Sequence, residues 1–262
     1  MIIIDWNISY MHTINKKIDY LKNTIKNKSF IIILQEVTQN DYNELQNQFS
    51  NIAHIEYSLK YREPGMFDTR SRKLGIAIIV SNDIRVTHAQ VLERALLPDR
   101  TLMVDVMYHN KLLRIFGLHS ITGCQHGKAK EIQYYSFAEA IEIYKPDIIG
   151  IDANEPQYDH YEFAKMQFFN NYNKGKGCQI FFETIHQNHL VDSYLNKYDI
   201  NQFVDGECLA CSHIIKQNKK KVRYDFLFIK KDLFEDYLSI YDYDNTIQSG
   251  SDHAAIILNA IK

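Results

Sequence analysis

Met1-Ile2-Ile3-Ile4-Asp5-Trp6-Asn7 and, farther on, Phe30-Ile31-Ile32-Ile33-Leu34-Gln35-Glu36 are the two stretches on which the reading of this chain turns. Each is a short apolar run that stops on polar residues, the pattern of a buried strand whose carboxyl end reaches the rim of a sheet. Between them Ile14, Ile18, Leu21 and Ile25 recur at helical spacing, one apolar face of an amphipathic helix, with Lys16, Lys17, Lys22 and Lys26 mostly elsewhere. Strand, helix and strand form a β-α-β unit. Such a unit delivers Asn7 and Glu36 to neighbouring strand ends, where an open α/β sheet places its chemistry.

Outward from this unit the pattern continues. A short helix is expected over 41–49, and 61–73, with Pro, Gly, Arg62, Arg70, Arg72 and Lys73, reads as a loop. Strand-like runs follow at 74–81, 84–92 and 101–108, the last with Leu102, Val104, Val106 and Tyr108 in alternation. His109-Asn110-Lys111 makes a hairpin turn into a partner strand at 112–118 that ends on His119. A helix over 128–144 leads into Asp147-Ile148-Ile149-Gly150-Ile151-Asp152, again a strand that stops on an acid. The segment 156–198 gives mixed signals and no functional reading. Two more strands, 223–229 and 253–260, are separated by an acidic, Tyr-rich connection at 232–244. No repeat, linker or low-complexity tract divides the chain, so residues 1–262 are expected to form one domain.

With 262 residues, 45% hydrophobic, and only 4 Pro and 10 Gly, the chain can bury a sizeable core. A net charge of −2 excludes a general basic coat for nucleic acid, so a polyanionic partner must be held locally or through metal ions. No run approaches the roughly 18 apolar residues of a membrane helix. Asp5 and Asn7 interrupt the start where a signal peptide would be apolar, and a cytoplasmic protein is expected. Cys124, Cys178, Cys208 and Cys211 are too few for a disulfide scaffold and read as reduced thiols.

Asn7, Glu36, His119, Asp152 with Asn154, Asp225, and the pair Asp252-His253 are polar groups that apolar strands have no local reason to carry. Gathered at one rim they suit a divalent, oxygen-ligated cation and a phosphate ester. The cation wants carboxylate oxygens, a water nucleophile wants an Asp, and the charge developing on phosphorus wants His and Asn donors.

The order WNI at 6–8, LQE at 34–36, GLHS at 117–120, GIDAN at 150–154, RYDFLFI at 223–229 and SDH at 251–253 resembles the endonuclease/exonuclease/phosphatase superfamily, the DNase I-like metal-dependent phosphoesterases. The resemblance spans residues 6–253. It implies an α/β fold of four layers, two packed mixed β-sheets flanked by helices, with an active site at the shared rim. It further implies Mg²⁺ (or Mn²⁺) at Glu36, with Asn7 and Asp252 completing or supporting the metal site. Asp152 would orient and activate water, and Asn154 would donate to the attacked phosphate. His253, its imidazole fixed by Asp225, would stabilise transition-state charge, with His119 a phosphate contact or general acid.

Departures bear on the branch. The abasic-site repair enzymes usually carry an acid two residues after the first Asn and a Trp before the Arg of the fifth motif, where this chain has Ser9 and Val222; His119 resembles the DNase I and sphingomyelinase side. Neither WxGDxN nor PxWCDR of the inositol polyphosphate phosphatases is present. A nuclease cutting DNA or RNA is therefore expected, with a phosphomonoesterase or a lipid or small-molecule phosphodiesterase as the alternative. A catalytically silent binding protein would have little reason to keep these acids clustered. No protein partner is implied.

Cys208, Cys211 and His213 resemble half of a zinc site, to which Cys178, His186 or His189 could add a ligand; the simpler reading is small buried thiols. The lysines of 216–223 and the stretch 125–130, taken as a loop, are candidate nucleic-acid contacts or merely solvated surface. Arg100 reads equally as a substrate-side residue and as a structural ion-pair partner.

Overall fold

The computed structural model describes residues 1–64, 73–169 and 176–261. In chain order the elements are β1 (Ile2–Asn7), α1 (Asn15–Ile25), β2 (Phe30–Val37), α2 (Gln39–Phe49), β3 (Ala53–Tyr57), β4 (Gly75–Ser81), β5 (Arg85–Gln90), β6 (Thr101–Tyr108) and β7 (Lys111–His119). There follow α3 (Gly123–Tyr144), β8 (Ile148–Asp152), α4 (Lys176–Gln187), β9 (Leu190–Asp192), β10 (His213–Ile214), β11 (Lys221–Val222), β12 (Asp225–Lys230), β13 (Asp236–Asp242), α5 (Tyr243–Ser249) and β14 (Ala255–Ile261).

Two six-stranded sheets have the orders β13-β14-β1-β2-β4-β3 and β5-β6-β7-β8-β12-β9. Both are mixed, with β1 parallel to β2 and β7 parallel to β8. Side-chain alternation along each strand builds the layers. Ile3, Ile31, Ile33, Ile76 and Ile78 of the first sheet meet Leu102, Val104, Ile115, Ile148 and Leu227 of the second in one inter-sheet core. The opposite faces are covered by helices. Ile18, Leu21, Leu45 and Phe49 pack on Ile2, Ile4, Trp6 and Ile32, while Phe137, Ile141, Phe181 and Ile185 pack on Phe116, Ile149, Phe226 and Phe228. The four-layer α/β sandwich expected from the sequence is what forms.

The same alternation positions the polar ends. Ile3, Asp5 and Asn7 share the inter-sheet face of β1, and Gly150 and Asp152 share that of β8, so the two strands meet there pairwise. Gly150 is required: a Cβ at that position would lie 2.2 Å from Asp5 Oδ1. Asp5, fully buried, takes a hydrogen bond from Gln35 Nε2 at 2.6 Å. Burial first, then the neighbouring Asp225 and Asp152 charges, hold its carboxyl well above the ordinary range.

Several expectations need correction. The stretch 125–130 is the first part of α3, not a loop, and Lys130 is buried in a 2.9 Å ion pair with Glu155. The connection 232–244 contains edge strand β13, and 156–198 contains α4 and β9. Lys17, expected off the apolar face of α1, is fully buried. The hairpin read at 109–111 forms with a two-residue turn, Lys111 already in β7; His109 and Asn110 sit at φ 47° and 62°, the left-handed pair such a turn demands. Arg70 and Arg72 lie outside the described residues.

Candidate active site

β1 and β2 run in register, Asn7 beside Gln35, and β8 lies between β7 and β12 with Asp152 opposite both His119 and Asp225. Neighbouring strand ends from two sheets therefore converge on one rim. Across the sheets Asn7 Nδ2 donates to Asp152 Oδ2 at 2.8 Å. Asn7 Oδ1 accepts the Ser9 N–H at 2.9 Å, and Ser251 Oγ donates to the Asn7 carbonyl at 2.7 Å.

Strand parity would turn Glu36 towards α1 and α2. The ladder to β4 is interrupted between Leu34 and Val37, and Glu36 adopts φ 59°, so a bulge re-aims the side chain. A non-glycine residue in the left-handed region costs roughly 1–3 kcal/mol, a strain typical of functional positions. Glu36 Oε2 accepts the Tyr10 N–H at 3.2 Å, while Oε1 stands 3.8 Å from His119 Nε2. His119 Nε2 is also 3.7 Å from Asp152 Oδ2, and Arg100 Nη1 lies 3.4 Å from its Nδ1. Arg100, left between two readings by the sequence, thus borders the site.

Asn154, at φ 51°, donates its N–H to Asp152 Oδ1 at 3.0 Å and its Nδ2 to the Ser120 carbonyl at 2.9 Å. Among the described residues its second amide hydrogen has no acceptor. Lys130 Nζ donates to the Asn154 carbonyl at 2.8 Å and so anchors this turn from behind.

His253 Nδ1 lies 2.9 Å from Asp225 Oδ2 and 3.1 Å from Oδ1. Trp6 Nε1 donates to the His253 carbonyl at 3.0 Å, and Tyr241 Oη to that of Asp225 at 2.7 Å. Burial opposes charge on His253, but the Asp225 carboxylate outweighs it and raises the imidazole to about 10. Asp152 is raised to about 7, by burial first and then by Asp225; His253 and the Asn7 hydrogen bond oppose the rise.

Asp252 is half-buried, with Lys216 Nζ 3.5 Å from Oδ2. Its carboxyl lies below the ordinary range; burial works against this, and His253, His213 and Lys216 overcome it. His213 stacks on His253 with centroids 4.5 Å apart and hydrogen-bonds the Asp252 carbonyl through Nδ1 at 2.9 Å. In the sequence this histidine stood out as part of a half zinc site. Two groups have ligand atoms within 4.8 Å of one another, His213-Asp252-His253 and Asp152-Asp225-His253. Among the described residues no such group includes a cysteine, and Cys178, Cys208 and Cys211 are free thiols, so the half zinc site finds no partners. Arg223 is consumed structurally, bidentate on Asp159 at 2.8 and 2.9 Å and bonded to Asp192.

Among the described residues no helix is long and apolar enough to cross a membrane. No protein-family model and no curated protein matches the chain. Solved structures do. An endonuclease/exonuclease/phosphatase family protein from Leptotrichia buccalis C-1013-b superposes with a TM-score of 0.60 at 18% identity, covering 100% of both chains. A 3′ phosphatase from Neisseria bound to product DNA hairpin gives 0.63 at 17% identity, also over 100% of both. ANGEL2, a 2′,3′-cyclic phosphatase, gives 0.66 at 14% identity over 98% of this chain and 94% of that one. Two mixed sheets between helical layers, with the strand ends meeting at one rim, give this chain the DNase I-like fold that these structures share.

Proposed function

We propose that the protein is a divalent-metal-dependent phosphodiester hydrolase, a nuclease acting on DNA or RNA. One observation carries the reading. Asn7, Glu36, His119, Asp152, Asp225 and His253, spread over almost the whole sequence, meet at one rim: contacts of 2.8–3.8 Å link the first four and a 2.9 Å contact links the last two, and ligand atoms of Asp152, Asp225 and His253 lie within 4.8 Å of one another.

The donor set fits a hard cation. Glu36 Oε1 stands beyond hydrogen-bond distance of His119 and leaves a carboxylate oxygen for an oxygen-preferring ion. Glu36 and Asp252 would hold Mg²⁺ or Mn²⁺, with Asn7, whose amide is bonded at both ends, in support. When bound, such an ion supplies Lewis-acid stabilisation of phosphoryl and leaving oxygens. Asp152, fixed by Asn7 and the Asn154 N–H, orients a water and takes its proton, and its raised affinity for protons suits a base near neutrality. Asn154 offers its remaining amide hydrogen to the attacked phosphate. His253, kept charged by Asp225, faces the negative charge that builds on the phosphoryl oxygens, and His119 contacts the same phosphate.

The lysines of the β10–β11 hairpin support a nucleic-acid substrate. Lys216, Lys219, Lys220 and Lys221 are exposed on a short excursion that abuts Asp252, a local positive patch on a chain of net charge −2. Neutralising Lys219 and Lys221 to Gln should lower the slope of log affinity against log salt by about 2, roughly one per phosphate contact. An unchanged slope in a binding titration would remove the hairpin from the substrate groove. A phosphatase reading is favoured by the phosphatases among the structural neighbours, one bound to product DNA and one to a vanadate of adenosine. Incubation with supercoiled plasmid, single-stranded DNA, RNA and a chromogenic diester or monoester, each with Mg²⁺ and with EDTA, decides between them. Metal-dependent nucleic-acid cleavage is expected; hydrolysis of the small esters alone would replace the nuclease reading.

A further inference from the structure

Lys17 is an anomaly by its own chemistry. Removing an ammonium from water is costly unless it is paired or hydrogen-bonded, and a methionine would fill the same space without that cost. Yet Lys17 is fully buried. The reason it faces inward is geometric. It lies three residues after Ile14 and four before Leu21, on the stripe that α1 presses against the first sheet.

Its Nζ donates to the Ser9 carbonyl at 2.6 Å and to the His12 carbonyl at 2.9 Å. These belong to the turn that joins β1 to α1, and that turn bonds Asn7 and Glu36 and lies beside Asp252, the three candidate ligands of the metal. The Ser9 N–H is held by Asn7 Oδ1 at 2.9 Å, and the Tyr10 N–H by Glu36 Oε2 at 3.2 Å. The Ser9 side chain lies near enough to Asp252 to favour its carboxylate form. Ser9 itself sits at φ 52°, a left-handed conformation that a serine keeps only when its surroundings impose it. Glu36 and Asp252 are also among the carboxylates whose charge Lys17 feels.

We infer that Lys17 is a positioning residue of the metal centre: its buried ammonium pins the turn from Ser9 to His12, and the pinned turn holds Asn7, Glu36 and Asp252 in ligating posture. The inference rests on the metal-dependent reading above. It carries a distinctive sign. A positive charge behind the ligands repels an incoming cation, so on Coulomb grounds alone its removal should tighten metal binding. If Lys17 acts by position, its removal loosens binding instead.

The test uses the full chain carrying Lys17→Met, with Lys17→Gln as a second variant that keeps a donor at shorter reach. Two readings are taken without substrate: Mn²⁺ affinity by titration calorimetry, and hydrogen exchange of the Ser9 and Tyr10 amides by NMR. Lys17→Met should weaken Mn²⁺ binding at least tenfold and speed exchange of those two amides at least tenfold, with amides in β6 and β7 unaffected. Lys17→Gln should fall between, and it carries the same comparison if the Met variant does not fold. Unchanged or tighter Mn²⁺ binding in a folded variant would overturn the inference, as would unchanged exchange at Ser9 and Tyr10. A wild-type chain that binds no Mn²⁺ would instead overturn the metal-dependent reading, and this inference with it.

Discussion

Asp152→Asn is expected to lower turnover by about 10³-fold, within the 10²–10⁴ that a positioned general base contributes. The substitution is nearly isosteric and keeps an acceptor for Asn7 Nδ2, which donates to Asp152 at 2.8 Å, but turns its own amino group towards the Asn154 N–H that Oδ1 accepts at 3.0 Å. What it removes is the group that takes the proton of the water. Asp152 is buried and faces the Asp225 carboxylate across adjacent strands, an arrangement that costs stability in the absence of a cation. Relief of that repulsion offsets the lost Asn154 hydrogen bond, so the variant should melt close to the wild type while losing activity, the trade expected where function maintains a strained electrostatic site. Steady-state kinetics and a thermal melt on one preparation check both halves. Retention of more than a tenth of wild-type turnover would remove Asp152 from the base role.

His253→Ala should cost about 10²–10³ in turnover, the usual loss when one donor to a developing oxyanion is deleted. Unlike the first variant it should also be less stable, because Asp225, fully buried, then loses the imidazolium at 2.9 Å. Asp225→Asn leaves the ring in place but removes the carboxylate that keeps it charged, so its loss should be smaller. The two residues act as one unit, and the double variant should be no worse than His253→Ala alone. Additive losses would show that Asp225 has a role apart from His253.

The parts of this architecture that could be read from the chain are those governed by short periods. β1, α1 and β2 follow from two apolar runs and one helical stripe, and the rim residues Asn7, His119 and Asp152 follow from where apolar runs stop. Other parts had a local signal that was weak. Cys178, Phe181, Phe182 and Ile185 lie on one buried face of α4, but within a Tyr- and Asn-rich region that obscured it. Buried Tyr237 and Ser239 alternate with exposed residues in β13, a polar edge strand that reads as a connection. Ala53, Ile55 and Tyr57 alternate correctly in β3 over only five residues.

Some features have no local signal at all. The turn of Glu36 into the site depends on a bulge against β4 and on a left-handed backbone, neither of which an apolar run encodes. Arg223 is neutralised by Asp159 and Asp192, 64 and 31 residues away, so its structural employment is a tertiary fact. Lys17 looks like one more lysine on a helix until the carbonyls of Ser9 and His12 are brought over its ammonium.

The most direct measurement of the central claim is phosphodiester hydrolysis as a function of Mn²⁺ concentration, in the wild-type chain and in Glu36→Ala. Wild-type activity should be absent in EDTA and rise along a saturable curve, and Glu36→Ala should need far more metal and reach far less turnover. Hydrolysis that survives EDTA, or a Glu36→Ala curve that overlays the wild type, would contradict it.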